Sequence, residues 1–179
     1  MLRVNPDTRT PSGHAATPAA AAGSLSIDAS EDVEALIVPH REAMKLAYRG
    51  LFTTPFPTDD MLRAEWRALL ADPQATVLLG NSSGTPVGTL AVRVAGVDGW
   101  LERFYVHPDA QHRGIGRALH DHGLELLRAG GCRQANLWVL AVNQAAIQIY
   151  RHWGWRPVPG PPSAPWGLPQ IRFGRPLAG

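Results

Sequence analysis

Between Val106 and Leu119 the chain reads Val-His-Pro-Asp-Ala-Gln-His-Arg-Gly-Ile-Gly-Arg-Ala-Leu, and these residue types suit a phosphate ligand. Gly114 and Gly116 carry no Cβ, so an anion can approach the backbone closely. Free amides at the start of a helix point at such an anion and add a partial positive charge. Arg113 and Arg117 flank the glycines and bring full charges. Two nucleotide-binding patterns fail: the chain has no GxxxxGK[ST], and GxGxxG breaks because Leu119 stands at its third small position. Other chemistries are poorly served. The seven histidines are dispersed, and His120 and His122 point to different faces of a helix, so no metal site is expected. Cys132 follows Gly130-Gly131 with no base beside it, which argues against a cysteine nucleophile.

A glycine stretch of this kind needs a strand before it and a helix after it. Leu101 to Val106 has the apolar, β-branched and aromatic content of a strand. Gly114 to Ala129 places Ile115, Ala118, Leu119 and Leu126 on one helical face and stops at Gly130-Gly131. Upstream, a short strand spans Leu25 to Ile27, and Ser30 is a candidate cap for a first helix running to about Tyr48. Pro55 and Pro57 make Thr53 to Thr58 a loop, and a second helix follows near Asp59 to Leu70. Ala75 to Leu79 and Val87 to Val94 form a hairpin about the four-residue turn Asn81 to Gly84. Leu137 to Val142 is a strand, Asn143 to His152 a short helix and Ile171 to Phe173 a final strand. No internal repeat is present.

The 179 residues, 45% hydrophobic and 18% charged, suffice for one domain with its own core. Residues 1–24 read as a disordered tail: Pro6, Pro11 and Pro18 punctuate Ser, Thr and Ala, and four alanines fall short of the ~7 to 15 apolar residues of a signal peptide. Residues 25–179 form the domain. The net charge of +2 and the absence of an Arg- or Lys-rich block argue against a nucleic acid partner. There is no apolar run long enough to cross a membrane. A single cysteine allows no internal disulfide and fits a reducing, cytoplasmic setting.

The glycine stretch resembles the signature of the GNAT superfamily of N-acetyltransferases, Val-x-Pro-x-x-(Arg/Gln)-x-x-Gly-x-(Gly/Ala), with Val106, Pro108, Gln111, Gly114 and Gly116 in place. A second match follows downstream. Asn143, Ala146, Tyr150, Gly154 and Trp155 are similar to the family's Asn-x-x-Ala-x-x-x-Tyr-x-x-x-Gly-aromatic segment. Residue-level support spans about Leu101 to Trp155, while the order of elements agrees from Leu25 onward. The resemblance implies an α/β (α+β) fold: a mixed, mostly antiparallel central sheet with flanking helices, in which two parallel strands splay apart to admit acetyl coenzyme A.

On that resemblance, the splayed strands are Leu101 to Val106 and Leu137 to Val142, and main-chain groups of Phe104, Tyr105 and Val106 bind the pantetheine amides. Gln111, His112, Arg113, Gly114, Ile115, Gly116 and Arg117 hold the pyrophosphate, and Asn143 makes a polar contact to coenzyme A. Tyr150, seven positions after Asn143 and on the same helical face, is the acid that protonates the departing thiolate. An acceptor ammonium with pKa ~10.4 needs a base or a desolvating pocket at neutral pH. Strand alternation puts Glu102 with Phe104 and Val106 on one face and Leu101, Arg103 and Tyr105 on the other, which makes Glu102 a candidate base. An ion pair or a substrate anchor is its alternative role, and Arg103 and His107 are adjacent alternatives as the base. Trp153 and Trp155 read as packing residues. The implied reaction is direct acetyl transfer to a primary amine of a small molecule or peptide, with an inactive acyl coenzyme A-binding regulatory module as the alternative. A homodimer is compatible with either. The first two helices and the loop between them would cover the acceptor, with Phe52 and Phe56 for packing and Asp59 and Asp60 for a cation.

Overall fold

The computed structural model describes residues 24–51 and 58–177. Residues 1–23 of the expected tail lie outside that range, as do Phe52, Phe56 and the loop up to Pro57. Seven strands and four helices follow in the order β1 (Leu25–Ala29), α1 (Val33–Ala47), α2 (Asp59–Leu70), β2 (Ala75–Ser82), β3 (Thr85–Ala95), β4 (Asp98–Val106), α3 (Ile115–Ala129), β5 (Gln134–Leu140), α4 (Gln144–His152), β6 (Arg156–Pro157) and β7 (Gln170–Pro176). They form one mixed sheet in the order β1-β2-β3-β4-β5-β7-β6. All neighbours are antiparallel except β4 and β5, so the expected fold class holds.

β2, β3 and β4 form a meander through two tight turns, whereas β1 is joined to β2 through α1 and α2. Ser83 and Gly84 both take positive φ, 50° and 79°, so β2 and β3 close through two residues with Ser82 paired to Thr85. The turn is thus half the expected length. A positive φ at both positions matches the twist of the flanking strands and lets pairing run further. β4 likewise begins at Asp98 rather than Leu101, and β5 ends at Leu140 rather than Val142. The cap of α1 is Asp32, whose carboxylate accepts the Ala35 amide at 3.0 Å, and not Ser30, whose hydroxyl accepts the Asp32 amide at 3.2 Å. Thr58 caps α2 and Asn143 caps α4 by the same chemistry.

Two cores lie on opposite faces of the sheet. α1 and α2 cover one face with Leu36, Ile37, Leu62 and Trp66 against Val77, Leu79 and Ala91. α3 and α4 cover the other with Leu119, Leu124, Leu127 and Ile147 against Leu78, Leu90, Val92, Leu101, Leu137 and Phe173. The close seat of α3 depends on missing side chains. A Cβ on Gly88 would lie 2.6 Å from Leu119, one on Gly99 2.4 Å from Leu127, and one on Gly123 2.7 Å from Leu90. Glycine at these positions therefore brings the helix backbone near the sheet and aims its N-terminus at the end of β4.

Candidate active site

β4 and β5 pair only through Asp98–Gln134, Gly99–Ala135 and Trp100–Asn136. Beyond Trp100 they part, although β4 stays paired with β3 and β5 with β7. The parted edges carry strand amides and carbonyls that a ligand lying between them can pair. Asn136, fully buried at the fork, donates to the Gly99 carbonyl at 3.2 Å and accepts from Arg172 at 2.9 Å. The fork opens into a cavity of about 1460 Å³. Glu102, Phe104, Tyr105, Val106, Gln111, His112, Gly114, Gly116, Arg117, Asn143 and Tyr150 all line it. Two residues of the anticipated set stand elsewhere: Ile115 is buried in the α3 core, and Arg113 is exposed without lining the cavity.

The simple alternation expected along β4 breaks at a bulge. Thr89 opposes Tyr105 and Ala91 opposes Glu102, so the single residue Leu90 faces both Arg103 and Phe104. Arg103 takes φ 50° to absorb the extra residue. Its carbonyl accepts the buried Thr89 hydroxyl at 3.3 Å, and its Nε lies 3.1 Å from Glu65 of α2. The side chains therefore divide differently from expectation. Phe104 stacks on Trp153 at 6.3 Å, and Val106 lies against Gly116, both on the α3 side. Glu102, Arg103 and Tyr105 go to the α1 and α2 side. There Glu102 meets Arg93 at 3.1 Å, and Arg93 also pairs with Asp72 at 2.7 Å. The ion pair and the cavity position coexist.

Tyr105 stacks on His40 with ring centroids 4.0 Å apart and planes at 14°. Burial, reinforced by the Arg103 cation, pushes the His40 pKa down to about 3, so its ring is neutral. The Tyr105 phenol is driven well above its ordinary value by the same desolvation.

At the cavity's other wall, Gly114 begins α3 with φ 82°, a conformation that L side chains rarely adopt. It makes no side-chain cap hydrogen bond, and the first turn of α3 holds no acidic residue. The helix start thus presents amides and a positive dipole end with no internal counter-charge. The Gln111 side chain donates to the Val106 carbonyl at 3.2 Å and so ties the loop to the strand end.

Tyr150 sits on α4 with its ring edge-on to Trp155 at 6.2 Å and near Phe173 at 6.3 Å. Burial, with a smaller contribution from Tyr48, raises its pKa far above the usual phenol value. Asn143 precedes the helix. Its Oδ1 accepts the Ala146 amide at 3.1 Å, and its side chain offsets part of the burial that raises the Tyr48 phenol's pKa. Tyr48 was absent from the expected set. It stands at the end of α1, lines the cavity and brings the chain's third tyrosine to the cleft. Trp100, Trp138 and Arg93 were absent as well. No local motif marks these residues, because they arrive from separate elements. Among the described residues no group of three or more His, Cys, Asp or Glu side chains is placed to hold a metal, and no helix is long and apolar enough to cross a membrane.

A forked parallel pair beside a glycine-led helix start is the arrangement that the resemblance to the GNAT superfamily implies, and comparison with known proteins agrees. The model of the acetyltransferase (GNAT) family matches residues 41–155, so the chain belongs to that family. A mycothiol acetyltransferase of Saccharopolyspora erythraea is 39% identical over 104 residues, covering 52% of this chain and 31% of the relative. The chain spans less than a third of the length of the first curated relatives it matches. Among solved structures, the PaiA N-acetyltransferase of Thermoplasma acidophilum in complex with coenzyme A superposes with TM-score 0.68 at 19% identity, over 83% of this chain and 98% of that one. An acetyltransferase of Thermus thermophilus gives TM-score 0.70 at 22% identity, over 87% and 99%. These likenesses establish the fold.

Proposed function

We propose that the chain is an acetyl coenzyme A-dependent N-acetyltransferase that passes the acetyl group directly to a primary amine. The observation that carries this reading is the shared cavity: parted strand edges, an uncapped helix start and a protonated tyrosine all face it. Family membership supports the same reading. Main-chain groups of Phe104, Tyr105 and Val106 pair with the pantetheine arm, and the segment from Gln111 to Arg117 receives the pyrophosphate on its amides. Asn143 contacts the cofactor from the start of α4.

In the reaction the amine nitrogen attacks the thioester carbonyl and forms a tetrahedral intermediate. The C–S bond then breaks. The thiolate takes the Tyr150 hydroxyl proton; of the two protons that the ammonium nitrogen gives up, Glu102 passes the first to solvent before attack, and the second, lost as the amide forms, restores the tyrosine. The products are the acetamide and free coenzyme A. In support of this role, Glu102 lines the cavity and lies on the side toward α1 and α2, away from Phe104 and Val106. A carboxylate has about four acceptor sites, so the Arg93 contact leaves capacity for a proton.

The acceptor is a small-molecule amine, in keeping with the mycothiol acetyltransferase name of the relatives, and a peptide amine is the second candidate. The setting is cytoplasmic, nucleic acid has no part in it, and residues 1–24 lie outside the 25–179 catalytic domain. A screen of small amines and peptides for acetyl-dependent release of the coenzyme A thiol tests the proposal. Turnover with at least one amine is expected. Tight coenzyme A binding without thiol release from any acceptor would instead make the chain a binding module.

A further inference from the structure

Four residues behind the phosphate end of the cavity form a continuous hydrogen-bonded line that acetyl transfer does not itself require. Trp155 and His120 are both fully buried. The Trp155 indole N–H donates to His120 Nε2 at 3.0 Å. Indole nitrogen is a donor only, so His120 Nε2 must be bare and its proton must sit on Nδ1. That Nδ1 lies 2.8 Å from Asp121 Oδ1. The other carboxylate oxygen, Oδ2, accepts Arg117 Nε at 2.6 Å. Arg117 also lies over the Trp153 ring, 5.9 Å from its centroid, and Trp153 in turn packs on His120 at 4.5 Å.

The consequence lies in which nitrogen is used. Asp121 takes Nε, the inner position of the guanidinium, and four further N–H donors remain on the two terminal nitrogens for another partner. Arg117 lines the cavity in the first turn of α3, while His120 and Asp121 do not line it. We infer that Trp155, His120 and Asp121 act as positioning residues that fix the direction of Arg117, so that its terminal nitrogens engage a phosphate of coenzyme A. This rests on the reading of the Gln111 to Arg117 segment as the pyrophosphate site. A held guanidinium binds a phosphate with less ordering than a free one, since one long side chain is already fixed.

Two roles of Asp121 predict opposite signs. If Asp121 were only a nearby negative charge, its removal would tighten coenzyme A binding by about threefold. If it positions Arg117, removal weakens binding. Asp121→Asn is a suitable variant because the side chain is 44% exposed and the change preserves shape. A carboxamide offers one acceptor oxygen where His120 and Arg117 need two. Calorimetric titration with coenzyme A alone should show Arg117→Gln weaker by about 10- to 100-fold and Asp121→Asn weaker by about threefold to tenfold. In the Arg117→Gln background Asp121→Asn should add nothing, with melting temperatures recorded to confirm that every variant is folded. Unchanged or tighter binding in Asp121→Asn overturns the inference, and so does an equal loss in both backgrounds. Gly114→Val separates the two readings. If it leaves affinity intact, the phosphate site itself is misassigned and the inference falls with it. If it abolishes binding while Asp121→Asn is neutral, only the positioning role is lost.

Discussion

Replacing His40 with phenylalanine should make the protein more resistant to acid, by an amount that follows from the burial of one ring. His40 is 1% exposed, stacked on Tyr105 and edge-on to Trp66, and its Nδ1 has no hydrogen-bond partner. Its pKa is about 3 in the folded protein against an ordinary 6.5. Between those two values the unfolded chain binds a proton that the folded chain refuses, so stability rises with pH across that window and falls on acidification. Each pH unit in which only the unfolded chain holds the proton is worth about 1.4 kcal/mol. Going from neutral to about pH 4.5 therefore removes on the order of 3 kcal/mol through this group alone. Phenylalanine keeps the stack and titrates nowhere in the range. Urea midpoints of both proteins at about pH 7.5 and 4.5 isolate the effect, because protonation of carboxylates and of His120 is common to both and cancels. The gap between variant and wild type should widen by about 2 to 3 kcal/mol at the lower pH. A gap that is the same at both pH values would mean that His40 gains a partner or a proton in the folded state, and the account of the Tyr105 stack would be wrong.

Tyr150→Phe keeps the ring packing and removes only the hydroxyl, so single-turnover rates should fall by about 10² to 10⁴ while acetyl coenzyme A affinity stays nearly constant. Because burial raises the Tyr150 pKa, the wild-type chemical step should show no loss of a protonated acid below about pH 10. Glu102→Gln should slow transfer chiefly below the acceptor's own pKa, with partial recovery as the pH rises; a uniform loss across the pH profile would assign Glu102 to structure through Arg93. A chain beginning at Gly23 should keep its melting temperature and cofactor affinity, and a drop of several degrees would show that the tail packs on the domain.

The parts of this protein that local patterns determine were legible in its sequence. The α2 limits, the stop of α3 at Gly130 and the two motifs around Gly114 and Tyr150 depend on caps, glycine and helical spacing within one segment. The fork of β4 and β5 followed from the family resemblance rather than from strand composition. Tertiary effects were less visible. Gly88, Gly99 and Gly123 look like weak points of their elements until the side chains that fill their space across the contact of α3 with the sheet are known. Tyr48 reaches Asn143 from a helix almost a hundred residues upstream, a contact that no spacing rule encodes.

The bulge at Arg103 is the instructive failure, since it decides what β4 can do. A regular strand assigns side chains to faces by parity and would have put Glu102 beside Phe104 and Val106. One extra residue reverses that parity after Arg103, so a single strand sends Glu102 and Arg103 toward α1 and α2 and Phe104 and Val106 toward α3. Nothing in Leu-Glu-Arg-Phe-Tyr-Val announces it, because a positive φ on arginine costs about 1 kcal/mol or more and is not an intrinsic preference. The conformation is held from outside the strand, by the Thr89 hydroxyl on the Arg103 carbonyl and by Glu65 on its guanidinium. Glu65 belongs to α2, one of the two helices on the side assigned to the acceptor. On the proposed function, the residue that sets the backbone offered to the cofactor is thus tied to a helix that would cover the acceptor, and the two half-sites would meet at one strained peptide.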